Sequence, residues 1–264
     1  MTVIMAATRM LDVTVGADDL RRALIAVLPH AAKKAERTHL HRVRCYVAPD
    51  TLTVTGTDGY TVAAALVPVV VDHDHDAAAD FGHLDLSPAD AAKILAVFRI
   101  GPKGHEQDDA PDWLIRIEVE VTLYPPDKQG EADVQVPYVR LTDVSGFIPG
   151  AELELPMLAA DEHAPHVPRL VATQLARPAG ALDTFGVGTE MIARFTAAAK
   201  AYGSPLLQSV TESPQMLVIR VGDSFIGCVR PLEFTEDDKA LHKQWLEDWC
   251  SRLPAAPPGD SRPE

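Results

Sequence analysis

Apolar residues recur along this chain in two rhythms that follow one another in fixed order. In "LDVTVG", residues 11 to 16, they alternate; in "ADDLRRALIAVL", which follows, Leu20, Leu24, Val27 and Leu28 fall on one stripe while Arg21 and Arg22 point elsewhere. A period of two is a pleated strand and a period near 3.6 is an amphipathic helix. The same switch recurs in "HLDLSPADAAKILAVF" and "FGVGTEMIARFTAAAK", each turning through Gly or Ser into the helix. Ser87-Pro88 is a favoured N-cap followed by a proline at the first helical position. After each helix the chain becomes extended: "HRVRCYVAP" with "TLTVTGTDGYTVAAALVPVVV", then "WLIRIEVEVTLYP" with "EADVQVPYVRLTDV", then "LLQSVTES" with "QMLVIRVGDSFIGCVRPLEF". The unit is strand, helix, then antiparallel strands, present three times. It predicts an α+β fold whose helices cover one face of a sheet.

Within the first unit, Asp58-Gly59 interrupts two β-rich runs, and Gly supplies the positive φ of a tight hairpin. Residues 72 to 80 and 101 to 112 read as loops. Residues 150 to 183, rich in Pro, Ala and Glu, contain one plausible short strand, "RLVATQL". The expected organisation is a domain over 1–155, a connection over 156–184, a reduced second domain over 185–234, an amphipathic helix over 235–253 and a disordered tail over 254–264. In that last helix Thr235 caps, Asp238 completes a capping box, and Leu241, Trp245, Leu246 and Trp249 form the apolar stripe.

Composition changes this picture in three places. The chain has 264 residues and a net charge of −14, which argues against phosphate binding overall, yet its basic residues gather on the predicted helices. The three cysteines, Cys45, Cys228 and Cys250, are far apart and match no metal or redox spacing, as in a reducing compartment. The longest apolar run, "VAAALVPVVV", is about half a bilayer-spanning helix, and no leader is evident, so a soluble cytoplasmic protein is expected. "VDHDHDAAADFGH" offers Asp72, His73, Asp74, His75, Asp76 and His83 as metal ligands, but an extended loop sends neighbours to opposite sides, and no metal is expected. No nucleophile elbow, phosphate loop or paired-carboxylate frame is present, so neither an enzyme nor a cofactor is expected.

The segments "LHRVRCYV" and "LTVTGTDGYTVAAALVPV", then "HLDLSPADAAKILAVF", "VRLTDVSGFIPGAELEL" and "QMLVIRVGDSFIGCVRPLEF", in this order, resemble the bacterial DNA polymerase III β sliding clamp family, the first of them its middle domain. The resemblance covers Leu11 to Leu155 and about Phe185 to Phe234. It implies a closed ring with helices inside and sheets outside, threaded by double-stranded DNA that is held without reading sequence, and a place in DNA replication as a processivity factor. Arg21, Arg22, Lys33, Lys34, Lys93, Arg99, Arg194 and Lys200 are the implied phosphate contacts. It also implies a hydrophobic pocket for short peptides of a DNA polymerase, a clamp loader or repair proteins, formed by Leu40, Thr57, Gly59, Tyr60, Val62, Pro149, Cys228, Val229, Arg230 and Pro231. Two departures bear on partner preference: Arg230 stands where the family usually has an apolar residue, and Tyr60-Thr61 replaces a His-Arg pair.

The family ring holds twelve such units. From Val15 to Leu86 is 71 positions but from Leu86 to Val187 is 101, an excess of about 30 that is too short for a whole unit. Three units per chain predict a tetramer, and a degenerate fourth within 150–183 predicts a trimer, a reduced clamp of the kind expected of a phage or mobile element. The alternative is an adaptor or decoy that uses the fold to bind replication proteins without encircling DNA. For the C-terminal helix two placements follow: packed on the sheet as core, or folded over the peptide pocket through Trp245, Leu246 and Trp249.

Overall fold

The computed structural model describes residues 8–70, 82–99, 113–124, 134–180, 186–212, 216–232 and 234–252. The first unit is β1 (Thr8–Gly16), α1 (Ala17–Val27), β2 (Val43–Val47), β3 (Thr51–Thr57) and β4 (Thr61–Val70). The second is β5 (His83–Leu86), α2 (Pro88–Val97), β6 (Leu114–Tyr124), β7 (Val134–Asp143) and β8 (Glu152–Pro156). After α3 (Val167–Leu175) the third is α4 (Thr189–Tyr202), β9 (Leu206–Val210), β10 (Leu217–Val221) and β11 (Phe225–Val229), and α5 (Glu236–Arg252) ends the described chain. The three strand-helix-strand repeats seen in the alternation are therefore present, except that the third opens with an isolated bridge, Gly186 to Leu232, in place of a full strand.

Units one and two exchange their opening strands. β5 pairs with β2 of the first unit, and β1 pairs with β6 of the second, so neither unit has a sheet of its own. The order β5-β2-β3-β4-β1-β6-β7-β8 continues through β4 to β11, β10 and β9, all antiparallel. β4 is the hinge of this arrangement: residues 61–65 pair with β11, and Val69 and Val70 pair with β1. A ten-residue strand can serve two neighbours on one side only because each needs half its length.

The helices α1, α2 and α4 cover one face. Leu20, Leu24 and Val27 of α1, Ile94 of α2 and Phe195 of α4 join Val15, Val54, Ala63, Ala65, Ile219 and Phe225 of the strands in one core. Alternation places Ala63 and Ala65 in this core and Ala64 on the opposite face, where Val167 and Val171 of α3 cover it. The N-cap read at Ser87 is present, its Oγ accepting from Asp90 N at 3.0 Å. So is the capping box of α5, with Asp238 N donating to Thr235 Oγ1 and Thr235 N donating to Asp238 Oδ2.

Two expectations are corrected. "RLVATQL" forms helix α3, because His166 Nδ1 accepts from Arg169 N, Pro168 lies in the first turn, and the i, i+4 pair Val167 and Val171 has a sheet face to cover. Packing of α5 on the sheet as core is not seen: Leu241, Trp245, Leu246 and Trp249 are all exposed, and Trp245 stacks only on its helix neighbours His242 and Trp249. The predicted loops at 72–80 and 101–112 and the tail over 254–264 lie outside the described residues, as do Asp72, His73, Asp74, His75 and Asp76. Among the described residues no three His, Cys, Asp or Glu side chains form a metal-binding group, and no helix is long and apolar enough to cross a membrane.

Candidate functional site

The β3–β4 hairpin is where the first and third units meet. Gly59 is the middle of the three residues between β3 and β4 and has φ of 92°, a backbone that only Gly adopts without strain. Asp58 Oδ1 accepts from the backbone N–H of Tyr60 (3.0 Å) and Thr61 (2.8 Å), closing the turn from within. Its other oxygen accepts from Arg194 Nη1 of α4 at 2.6 Å, and the same guanidinium reaches Thr61 Oγ1 at 3.0 Å. Burial pushes the Asp58 carboxyl up, but the Thr61, Arg194 and Tyr60 hydrogen bonds outweigh it and hold the group below the usual carboxylate range. Beneath the turn His30 is fully buried, with Nδ1 3.1 Å from Thr61 Oγ1 and its ring edge-on to Phe195 at 4.6 Å. Its pKa is lowered to about 3 by burial first and by the neighbouring Arg194 charge second, so the ring is neutral.

This latch fixes the β4–β11 junction, and the junction gathers most of the residues implied as a peptide pocket. Register puts Val62 opposite both Thr57 and Cys228, and Arg230 N donates to Tyr60 O at 3.1 Å. Leu40, carried by the loop after α1, stands beside the turn: a Cβ on Gly59 would lie 3.7 Å from Leu40 Cδ1. Tyr60 is half exposed at the rim, whereas Leu40, Thr57 and Cys228 are buried. The Cys228 thiol is pushed up to about 11 by burial and is uncharged. Val229 alternates to the other face and belongs to the main core, so its side chain does not line this surface. Pro149 is not brought to it either. It sits exposed in the β7–β8 connection, which is tied to Leu114 through Ser145, on the sheet half that carries β6 to β8.

The surface is not open. Ala164, Pro165 and Val167 lie against Leu40, Thr55 and Thr57, leaving a gap of about 10 Å³. Farther along, α3 crosses Ala64 and leaves an apolar cleft of about 290 Å³ between Leu66, Val171, Leu175 and Ile226. The segment lying on this surface is thus 164–175, and α5 with its tryptophans is not packed over it.

The implied phosphate contacts divide into three sets. Arg194 is held by Asp58, and Arg21 donates to the last carbonyls of α2, Leu95 O and Phe98 O, both at 2.7 Å. These two act as bolts between elements, because a guanidinium among helix-end carbonyls and a buried carboxylate has partners in the fold itself. Arg22 pairs with Asp19 and Lys93 with Asp90 within their own helices. Lys33, Lys34, Arg99 and Lys200 are exposed, but only Lys200 is on a helix, in the last turn of α4; contrary to expectation, Lys33 and Lys34 lie in the loop after α1 and Arg99 just past the end of α2.

A further buried cluster belongs to no sequence motif. Arg44 grips Asp85 through two bonds of 2.7 Å, and Arg42 joins the same carboxylate and reaches Asp161 at 3.5 Å. The signal was in the alternation "RVRC", which turns Arg42 and Arg44 away from the core that takes Val43 and Cys45.

The chain has the DNA sliding-clamp fold, as its likeness to solved clamps shows. Solved structures with this arrangement include the DNA polymerase sliding clamp from Pseudomonas aeruginosa, with a TM-score of 0.54 over 87% of this chain and 69% of that one, at 10% identity. The DNA polymerase III β subunit from Thermotoga maritima matches with a TM-score of 0.51 over 86% of this chain and 66% of that one, at 13% identity. The chain spans about two thirds of the length of these clamps. No family model and no curated protein matches it in sequence.

Proposed function

We propose that the chain is a DNA sliding clamp: a non-enzymatic processivity factor that closes as a homo-oligomeric ring around duplex DNA and tethers a polymerase or other replication proteins through short peptides. The observation that carries this reading is the β4–β11 junction, where two repeat units join edge to edge and Leu40, Thr57, Val62 and Cys228 are brought to one place. β5, β8 and β9 each pair with a single neighbour and are edge strands among the described residues, and pairing β8 of one copy with β9 of the next would continue the sheet head to tail. Residues 150–180 supply β8 to the second unit and otherwise one helix and one bridge, not a fourth repeat. Three units per chain then favour four chains over three. Absolute mass by light scattering tests this: a tetramer, or a trimer on a different closure, supports the ring, and a monomer at replication-like concentrations refutes it.

A second reading, an adaptor that binds replication proteins without encircling DNA, is favoured by one specific observation. Arg21, Arg22, Lys93 and Arg194 spend their charge on partners within the fold, which thins the basic lining a DNA-filled ring would use. Retention on circular DNA that is lost on linearisation distinguishes the two, since only a closed ring is topologically trapped.

A further inference from the structure

The segment 164–175 lies on the same surface that the proposed peptide pocket would use, and its attachment has the features of a strap. Its ends are fixed: Leu158 N donates to Asp85 O before it, and Gly180 N donates to Val210 O after it. Between them α3 buries two side chains, Val167 and Val171, on Ala64, Val62 and Ile226, in a small cluster separate from the main core. Of its other apolar side chains, Leu170 is 45% and Leu175 58% exposed, Leu175 at the rim of the cleft beside Val171. Apart from the N-cap His166, whose ring lies 4.7 Å from that of Tyr46, nine helical residues are thus ordered on two buried valines, at the low-stability end of what a fold holds shut. Beyond Val171 the apolar face continues in the cleft lined by Leu66, Leu175 and Ile226.

From this we infer that residues 164–175 are an intramolecular ligand of the clamp's own peptide site, which an incoming partner peptide must displace. This deepens the proposed function and rests on it. The partner it points to presents two apolar side chains at i, i+4 spacing, as Val167 and Val171 do, or an extended apolar pair that reaches Leu40 and Thr57 once Pro165 has moved. Tethering at both ends gives the strap a high effective concentration, so a free peptide binds only in proportion to the fraction of molecules with the strap lifted.

The test uses the full chain with a labelled synthetic peptide of residues 164–175, APHVPRLVATQL, read by fluorescence anisotropy on wild type and on the Val167→Asp, Val171→Asp double variant. The variant is expected to bind this peptide at least about tenfold more tightly than wild type does. Equal affinity, or no binding to either, overturns the inference. Hydrogen exchange on unmodified protein reads it independently of any substitution: α3 amides should exchange well before those of α1 and β4, and exchange of all three in step overturns it. A second probe, QWLEDW, a Gln-plus-apolar peptide taken from residues 244–249, separates this inference from the function beneath it. If QWLEDW binds wild type and variant alike, the pocket stands and the strap falls. If it binds neither while APHVPRLVATQL binds the variant, the strap holds its surface but the surface is not a site for peptides of this kind.

Discussion

Acid should loosen the junction through His30, by an amount the structure sets. The ring is fully buried, its neighbours are Thr61, Phe195 and Phe225, and its Nε2 has no hydrogen-bond partner. Its folded pKa of about 3 lies far below the ordinary 6.5, so between those values the unfolded chain binds the proton and the folded one does not. Stability therefore rises with pH in that window; it is fully present above 6.5 and drains away as pH falls toward 3. Integrating between the two pKa values gives a loss of about 2 kcal/mol on going from pH 7.5 to pH 5. His30→Leu removes the titration. It also changes the packing, which lowers stability at both pH values but not the difference between them. His83, whose pKa is lowered mainly by burial, contributes equally in both proteins and cancels. Urea unfolding at both pH values, wild type against His30→Leu, should show the pH-dependent loss shrinking by about 2 kcal/mol in the variant. An unchanged loss would refute the assignment of a neutral, desolvated His30 to this junction.

Two further outcomes follow from the same contacts. Gly227→Ala would put a Cβ 2.6 Å from both Val62 O and Phe195 Cε1, so the β4–β11 pairing must shift; a destabilisation of roughly 1–3 kcal/mol is expected in urea unfolding. Arg194→Ala should lower stability by about 1–3 kcal/mol by stripping Asp58 of its partner, yet leave the salt dependence of any DNA binding unchanged, whereas Lys200→Ala should spare stability and reduce that salt slope by about 1. Salt titrations of DNA affinity paired with unfolding curves for both variants would expose an Arg194 that touches phosphate, because its slope would fall as well.

Much of this molecule was determined locally and could be read from the chain. A change from period two to period 3.6 marks each unit, since both periods are properties of backbone geometry, and Ser87, Thr235 and Gly59 act on hydrogen bonds or dihedrals within a few residues. What only the tertiary structure decided is what each charge and each short segment meets. Arg194 and Arg21 sit on helices with the same outward promise as Lys200, and nothing within a turn of either shows that Asp58, 136 positions away, or the end of α2, 77 positions away, will take up the charge. Val229 and Cys228 are neighbours in sequence, but strand alternation sends one into the core and the other to the opposite face, and Pro149 parts from them because β7 and β8 lie in the other half of the sheet. The segment 164–175 is the clearest case. Its β-branched residues favour a strand, but the two valines one turn apart found an apolar face to cover, so it became a helix over the surface where a partner's peptide is proposed to bind.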